Sequence, residues 1–421
     1  MINCVYEQHH ALDDKLNLVG CKDVNKSGLT RFHPSVLADT TRHYDSKNYV
    51  ICPKNIFGVK EKPSQYVIPV GVRHHPADWA HPTGGTDLFS WLSADYLTDM
   101  QQGRAILLID QGLEGYHVPW LWDWFHAQFS KYNIPPKSVV YATGNWETAL
   151  NYNAWCEQNN KTDRLKTIGY SHFEYDVMMI ARNNKIFQDW SSNIEYKKSN
   201  LIKTFNCLQK RLRTHRIWFF GELYKAKLLD SGLISTNDWG DGFVGAIDGR
   251  VPDNALLQEA RTVLPLEIYN TPNNIHDDGW YIDRIHHQVY KDSWVSVVSE
   301  PIFNDENVAV FISEKTFKSI ACMHPFIIVG ARNSLRALQE MGYRTFEGYI
   351  NESYDSMSSH DRMAAIIEEL KRIDAIEDKL SWFEGMQEIL EHNYNLFHSK
   401  KDNRVLGSVE LVNYCKDYFN V

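Results

Sequence analysis

The chain contains few cysteines, and no two of them are close in sequence. Its 421 residues include seven: Cys4, Cys21, Cys52, Cys156, Cys207, Cys322 and Cys415. An odd number without a Cys-x-x-Cys pair predicts neither a disulfide framework nor a zinc site. Because free cysteines are typical of a reducing compartment, we expect a cytoplasmic protein.

Long apolar runs are also missing. No stretch reaches the roughly 20 apolar residues that a transmembrane helix needs. The first residues, Met-Ile-Asn-Cys-Val-Tyr-Glu, do not follow the basic-then-apolar pattern of a signal peptide. We therefore expect a soluble protein that does not bind membranes.

Positive charge is not in excess. There are 44 Lys and Arg against 53 Asp and Glu, and the formal net charge is −9. Such a balance argues against broad nonspecific binding of nucleic acids, although it leaves room for a local basic groove. Metal-binding patterns are lacking too: His74, His75 and His81 fit no standard zinc spacing, and Asp277-Asp278 is not an Asp-x-Asp motif. We expect neither a metal nor a cofactor.

Apolar segments indicate that strands and helices alternate in two rounds. The first round has strands at Ala105–Asp110, Ser138–Tyr141 and Leu165–Tyr170, with helices at Pro119–Tyr132 and Glu147–Cys156. The second has strands at Thr204–Leu208, Leu266–Tyr269, Trp294–Ser299 and Phe326–Val329, with helices at His215–Leu229, Glu314–Met323 and Ser334–Met341. This alternation predicts an α/β fold with two Rossmann-like domains. We place the boundary near residue 200, with the polar segment Asn193–Asn200 as a linker.

The most informative stretch is residues 311–330, which read Phe-Ile-Ser-Glu-Lys-Thr-Phe-Lys-Ser-Ile-Ala-Cys-Met-His-Pro-Phe-Ile-Ile-Val-Gly. A polar cluster opens a short amphipathic helix, a proline ends it, and an apolar strand follows. Ser313, Glu314, Lys315 and Lys318 then lie at the start of a helix, where free N–H groups and a partial positive charge favour anions, and we predict that these four residues bind the donor. Because a neighbouring carboxylate suits a diol such as a ribose, this pattern favours a nucleotide diphosphate over free phosphate.

This stretch resembles the donor-binding segment of GT-B glycosyltransferases, the fucosyltransferase-like ones in particular. It is more similar still to a group of phage-encoded glycosyltransferase-like proteins. In their pattern Thr stands where this chain has Ser313 and Pro where it has Ser319, and the segment Gly342-Tyr343-Arg344-Thr345-Phe346 matches its end. An ordinary helix cap with solvated lysines is the alternative.

The resemblance covers most of residues 100–375 and is firmest from about residue 200. It implies a GT-B fold, in which two Rossmann-like domains face one another across a cleft. Residues 1–200 would form the acceptor side, residues 201–400 would bind the nucleotide sugar, and residues 401–421 would form a helix that crosses back to the N-terminal domain.

A second cluster of positive charge follows the first strand of the second round. Residues 203–216 read Lys-Thr-Phe-Asn-Cys-Leu-Gln-Lys-Arg-Leu-Arg-Thr-His-Arg, which also resembles a segment of the phage group. A departing diphosphate needs positive charge, and arginine supplies paired donors for phosphate oxygens. We therefore predict that Arg213 and Arg216 bind the diphosphate; a solvated basic turn and a groove for a nucleic-acid backbone are the alternatives. Glu300 ends a strand and is either a contact to the donor base or sugar or a simple strand-end acid.

Asp110 and Glu114 lie on either side of the turn that follows the predicted strand Ala105–Asp110. An inverting transferase needs a general base to take the proton of the acceptor hydroxyl. We predict Glu114 as that base and Asp110 as its supporting or alternative acid. The alternative is that Asp110 caps the turn and Glu114 is exposed.

Together these patterns predict a hexosyl- or pentosyltransferase that moves a sugar from a nucleotide sugar to a hydroxyl acceptor. The resemblance to phage proteins makes a hydroxymethylated pyrimidine in phage DNA the first acceptor to consider, in the host cytoplasm. A surface glycan or a small molecule is the alternative acceptor. Other classes are a module that binds a nucleotide sugar without catalysis and a sugar epimerase, although no Gly-x-Gly-x-x-Gly fingerprint follows a predicted strand.

Overall fold

The computed structural model describes most of the chain from residue 94 onward and short stretches before it. The described residues are 2–4, 32–33, 49–51, 64–72, 88–89, 92, 94–186, 188–209, 211–240, 244–247, 249–250, 252–268, 285–303, 305, 309–399 and 406–420. His74, His75, His81, Asp277 and Asp278 lie outside these ranges.

The chain divides into two compact units. Unit 1 comprises Met1–His172, Asn307–Phe311 and Lys401–Val421, and unit 2 comprises Phe173–Glu306 and Ile312–Lys400. Each unit contains its own largely parallel sheet. Each unit is therefore an α/β body in its own right.

The sheet of unit 1 has the strand order β3-β1-β4-β5-β6-β7, and β2 pairs antiparallel with β4. Its strands are β1 (Ile2–Cys4), β2 (Phe32–His33), β3 (Tyr49–Ile51), β4 (Tyr66–Val72), β5 (Ala105–Gln111), β6 (Val139–Thr143) and β7 (Lys166–Gly169). Strands β5 and β6 are buried along their whole length. Their side chains are covered on both faces of the sheet, which explains why these strands read as continuous apolar runs.

Helices cover both faces of this sheet. Helices α1 (Ala94–Gln101), α2 (Leu121–Tyr132) and α3 (Thr148–Gln158) contribute to the core on one face. The last helix, α14 (Leu406–Phe419), contributes Leu411, Val412, Cys415 and Phe419 to the core on the other face. The end of the chain is therefore part of unit 1.

The sheet of unit 2 has the order β11-β10-β8-β9, and all its pairings are parallel. Its strands are β8 (Lys203–Gln209), β9 (Gly232–Thr236), β10 (Ser293–Ser299) and β11 (Phe326–Val329). Its helices are α4 (His172–Asn183), α5 (Trp190–Ser199), α6 (Thr214–Lys225), α7 (Asn254–Arg261), α8 (His287–Lys291), α9 (Glu314–Ala321), α10 (Ser334–Glu340), α11 (Ser359–Asp374), α12 (Lys379–Glu384) and α13 (Gln387–Ser399).

The strand order of unit 2 reverses next to β8. From β8 the chain goes through α6 to β9 on one side, whereas β10 lies on the other side and leads through α9 to β11. The carboxyl ends of β8 and β10 therefore flank a topological switch point. Ligands of open parallel sheets bind at such a point, because the loops leave it in opposite directions and open a crevice.

The predicted fold class, α/β with two Rossmann-like bodies, is confirmed. Two local predictions are wrong. The segment Asn193–Asn200 is not a linker: most of it belongs to α5, and Lys197 donates to the carbonyl of Ser293 at 2.6 Å. In the segment Leu266–Tyr269, Leu266 forms only an isolated bridge with Thr236, and Tyr269 lies outside the described residues.

The division between the units falls after His172, earlier than residue 200. Helices α4 and α5 lie in unit 2 because their side chains contact it. Arg182 donates to the carbonyl of His398 at 2.9 Å, and the hydroxyl of Tyr343 donates to Glu174. Within the described residues, no helix combines the length and the apolar character needed to cross a bilayer.

Candidate functional site

The N-terminus of α9 is tied to the end of β10 by the carboxylate of Glu300. Glu300 Oε1 accepts hydrogen bonds from Ser313 N at 3.1 Å and from Thr316 Oγ1 at 2.6 Å. Ser313 Oγ in turn accepts from Lys315 N at 3.4 Å, which makes Ser313 the N-cap of α9. Ser313 and Glu300 are fully buried, and burial raises the pKa of Glu300. Both residues therefore fix the shape of the site.

Glu314 and Lys315 form an ion pair in the first turn of α9. Lys315 Nζ lies 2.6 Å from Glu314 Oε1 and 3.3 Å from Ser313 Oγ. The side chains of Lys315 and Glu314 remain 27% and 15% exposed, so a ligand can reach both. Burial acts to raise the pKa of Glu314, but Lys315 and Lys318 outweigh it, and the pKa lies below its usual value. Glu314 is therefore ionised at neutral pH.

Arg216 clamps the turn after β8 to the end of β10. It is 4% exposed, and its guanidinium donates to the carbonyl of Arg211 at 2.9 Å and to that of Ser299 at 2.8 Å. Burial and the neighbouring Arg213 lower the pKa of Arg216 to about 10, while Glu314 acts to raise it. Arg216 thus stays charged at neutral pH, and its contacts make it a positioning residue.

Arg213 occupies the N-cap position of α6 and is half-buried. It makes no side-chain hydrogen bond to the helix end, so no side chain of this cap satisfies the first N–H groups of α6. Such N–H groups attract anions. His215 of α6 contacts the backbone carbonyl of Glu300, and the carboxylate of Glu300 accepts from Ser313 N, so the N-termini of α6 and α9 belong to one cluster.

Sequence reasoning assigned no role to His215, which also contacts Glu300. His215 Nε2 lies 2.9 Å from the carbonyl oxygen of Glu300, and its ring stacks on Phe303 with centroids 5.3 Å apart. Burial, followed by the charge of Arg216, lowers its pKa to about 3, so the ring is neutral. The only signal in the sequence was its place beside Arg213 and Arg216.

Four buried polar atoms around this cluster have no hydrogen-bond partner among the described residues. They are Gln209 Oε1 at the end of β8, Arg216 Nε in α6, and Ser299 Oγ and Glu300 Oε2 at the end of β10. Buried polar atoms are normally hydrogen-bonded to protein or to ordered water, and a bound water or ion is a usual explanation for exceptions. All four belong to residues at the carboxyl ends of β8 and β10 or in the first turn of α6.

The predicted acids of unit 1 lie at the carboxyl end of β5. Asp110 is 3% exposed, and its Oδ1 accepts from Gly112 N at 2.9 Å and from the hydroxyl of Tyr170 at 2.7 Å. This is the geometry of a turn cap. Glu114 is half-buried, and its carbonyl accepts from Gly144 N at 3.0 Å. Of the two acids, Glu114 is the more accessible.

A segment next to α9 covers the turns after β5 and β6. Val310 N donates to Asn145 Oδ1 at 3.0 Å, and the carbonyl of Val310 accepts from Trp146 N at 2.8 Å. Phe311 lies so close to Gly115 and Gly144 that a Cβ at Gly115 would fall 2.4 Å from the Cβ of Phe311, and a Cβ at Gly144 would fall 2.5 Å from its ring. The glycines are required by this contact, which the sequence did not reveal.

Comparisons with known proteins give only a remote likeness. No protein-family model and no curated protein matches the chain. A solved trehalose-phosphate synthase (UDP-forming) from Burkholderia vietnamiensis is similar with a TM-score of 0.43 and 12% identity over 85% of this chain and 74% of that one. The enzyme from Burkholderia multivorans gives 0.44 and 9% over 85% and 72%, and a sucrose-phosphate synthase from Thermosynechococcus elongatus gives 0.30 and 12% over 75% and 89%.

Proposed function

We propose that the protein is a GT-B glycosyltransferase whose nucleotide-sugar donor binds unit 2 at the switch point between β8 and β10. One observation supports this above all: the N-termini of α6 and α9, their cations and four unpaired polar atoms meet at the carboxyl ends of these strands. Helix N-termini and arginine or lysine side chains are suited to a pyrophosphate. A leaving nucleotide diphosphate gains charge during transfer, which such a site stabilises.

The accessible side chains of the cluster have separate roles in this proposal. Lys315, Lys318 and Arg213 contact the diphosphate, while Arg216 holds the loops that carry them. Glu314 is ionised and partly exposed, so it accepts hydrogen bonds from the ribose hydroxyls. Donor binding then exchanges part of the Glu314–Lys315 pair for contacts with the ligand. No metal is needed, because these cations neutralise the phosphates.

On the acceptor side, Glu114 of unit 1 acts as the general base if the reaction inverts the anomeric centre. Asp110 supports the turn that carries Glu114. The acceptor proposed first is a hydroxymethylated pyrimidine in phage DNA, in the host cytoplasm; a surface glycan or a small molecule is the alternative. A DNA acceptor predicts that affinity falls steeply with salt concentration, whereas a small neutral acceptor predicts little change.

The proposal is tested with a panel of nucleotide sugars, measured by thermal shift and by release of the nucleotide diphosphate. A true donor stabilises the folded protein by an amount that grows with the logarithm of its concentration relative to Kd. We expect Lys315→Ala to weaken donor binding roughly 10- to 100-fold, the usual worth of a charge-assisted hydrogen bond. Lys371→Ala, which removes an exposed lysine paired with Glu368, is the control. The proposal fails if no nucleotide sugar stabilises the protein or if both variants bind alike.

A module that binds nucleotide sugars without catalysis is the second candidate. The observation in its favour is that Asp110 already accepts hydrogen bonds from Gly112 N and from the hydroxyl of Tyr170. Of the two predicted acids, Glu114 alone is then left to transfer a proton. Donor binding without turnover, unaffected by Glu114→Gln, would favour this candidate. Loss of turnover in Glu114→Gln with donor affinity retained would favour the transferase.

A further inference from the structure

A cavity of about 220 Å³ lies along the side of α6. It is lined by residues outside the cluster described above. Its walls include Trp218 and Glu222 of α6, Arg250 and Pro252, Leu257 of α7, and His360 of α11. Trp218 comes four residues after the first residue of α6, about 6 Å along the helix axis. The cavity therefore begins about one turn from the helix end that we assign to phosphate.

The polar atoms of this cavity include an unused donor. Trp218 Nε1 is buried and has no hydrogen-bond partner among the described residues. His360 Nε2 lies 2.9 Å from the carbonyl of Ile247; since a carbonyl only accepts, Nε2 is the donor of this bond, and Nδ1 is the ring nitrogen that remains. The rings of Trp218 and His360 are 5.3 Å apart. Residues with aromatic rings and polar groups thus line the same cavity.

Two charged side chains complete the lining. Arg250 is exposed and forms no ion pair with any residue of the described part of the chain. Glu222 is only loosely paired, with Lys225 Nζ at 3.8 Å. Pro252 and Leu257 provide apolar walls. Arg250 and Glu222 therefore add charged groups to a lining that they share with aromatic and apolar residues.

The size of the cavity limits its ligand. Pockets for drug-sized molecules measure roughly 300–1,000 Å³, so about 220 Å³ suits a single ring system. Nucleobases present donors and acceptors along their edges and flat faces that stack on aromatic side chains. We propose that this cavity binds a purine or pyrimidine ring. The ring belongs either to the donor nucleotide, in which case the inference rests on the proposed function, or to a separate nucleoside.

The experiment measures binding of uridine, cytidine, adenosine and guanosine to the full chain by calorimetry and saturation-transfer NMR, with ribose as the negative probe. We expect at least one nucleoside to bind and ribose not to bind. Trp218→Phe keeps the ring but removes the indole N–H, and it should weaken the nucleoside roughly 2- to 10-fold, as should Arg250→Ala. Arg336→Ala, an exposed arginine that pairs with Glu340, should leave binding unchanged. Circular dichroism and the Tm check that each variant is folded.

Pyrophosphate alone distinguishes the two sources of the ring. If the base belongs to the donor, a nucleoside diphosphate binds more tightly than either fragment, and both Trp218→Phe and Lys315→Ala weaken it. If the nucleoside site is separate, pyrophosphate and nucleoside bind independently, and Lys315→Ala leaves the nucleoside unaffected. The inference is overturned if no nucleoside binds, or if the folded Trp218→Phe and Arg250→Ala variants bind nucleoside like the wild type. Nucleoside binding without any nucleotide-sugar binding would reject the proposed function and keep this inference.

Discussion

Glu300 joins two loops of unit 2 through a single carboxylate oxygen. Its Oε1 accepts from Ser313 N and Thr316 Oγ1, while its Oε2 has no partner among the described residues. The sequence suggested only that an acid ends the strand, because the donors lie 13 and 16 residues later. The neighbouring residues Glu314 and Lys315 were easier to predict, since a helix start is a local pattern. A residue whose partners are distant in sequence cannot be assigned in this way.

We predict that Glu300→Gln is tolerated and that Glu300→Ala is not. Glutamine keeps an oxygen that accepts both hydrogen bonds, whereas alanine leaves Ser313 N and Thr316 Oγ1 without that acceptor. An unsatisfied buried polar group costs about 1–3 kcal/mol, so the free energy of unfolding of Glu300→Ala should be about 2–4 kcal/mol below that of Glu300→Gln. Urea denaturation at pH 7 measures the difference. Equal stabilities would show that this carboxylate does not hold α9.

The stability of Glu300→Gln relative to the wild type should also depend on pH. Burial raises the pKa of Glu300 in the folded protein, so the folded state binds its proton more tightly than the unfolded state does. The raised pKa of Glu300 therefore stabilises the folded state at pH values below the pKa of the unfolded chain, near 4.5. This stabilisation is lost as the pH rises through the raised pKa of the folded state. The stability of Glu300→Gln relative to the wild type should therefore increase as the pH rises from 4 and then level off.

At the scale of elements, strands buried on both faces were the easiest to predict. The apolar segments at Ala105–Asp110 and Phe326–Val329 match β5 and β11 within one residue. Helix α5 was missed because its sequence, Trp-Ser-Ser-Asn-Ile-Glu-Tyr-Lys-Lys-Ser, has no clear apolar stripe. Strand β9 was missed because its sequence, Gly-Leu-Ile-Ser-Thr, contains only two apolar side chains and is only partly buried. Tertiary contacts decide such segments, and a local pattern does not contain them.

Helix α14 gives a prediction at this scale. Leu411 is 5% exposed and belongs to the core that α14 forms with the sheet of unit 1. Truncating a buried leucine to alanine costs about 2–5 kcal/mol, so we expect Leu411→Ala to lower the free energy of unfolding by that amount. Asp417→Ala, which changes an exposed residue of the same helix, is the matched control. If both variants unfold at the same urea concentration, α14 does not stabilise unit 1.

At the scale of the whole molecule, the sequence predicted two α/β bodies but not how the chain is shared between them. A boundary near residue 200 assumes that each domain is continuous. In the structure, unit 1 gathers three separate segments, and the chain enters it again at Asn307–Phe311 between β10 and α9. The segment is short and mostly apolar, and its attachment depends on Asn145, Trp146 and two glycines far away in sequence. Only long-range contacts reveal it.

This organisation predicts an unequal response to a donor-type ligand. A nucleoside diphosphate at 100 times its Kd stabilises the state that binds it by about 2.7 kcal/mol. Because the proposed site is built from β8, β10 and the starts of α6 and α9, amide exchange should slow in peptides covering 203–209, 293–299 and 314–321. Peptides covering 105–111 and 139–143 of unit 1 should change much less, and Lys315→Ala should reduce the effect at the same ligand concentration, because its affinity is expected to be roughly 10- to 100-fold lower. Hydrogen–deuterium exchange with mass spectrometry measures both sets in one sample. A ligand slows amide exchange most in the elements that must open before it can dissociate. Protection confined to the unit 1 peptides would therefore show that the anion does not bind at β8 and β10.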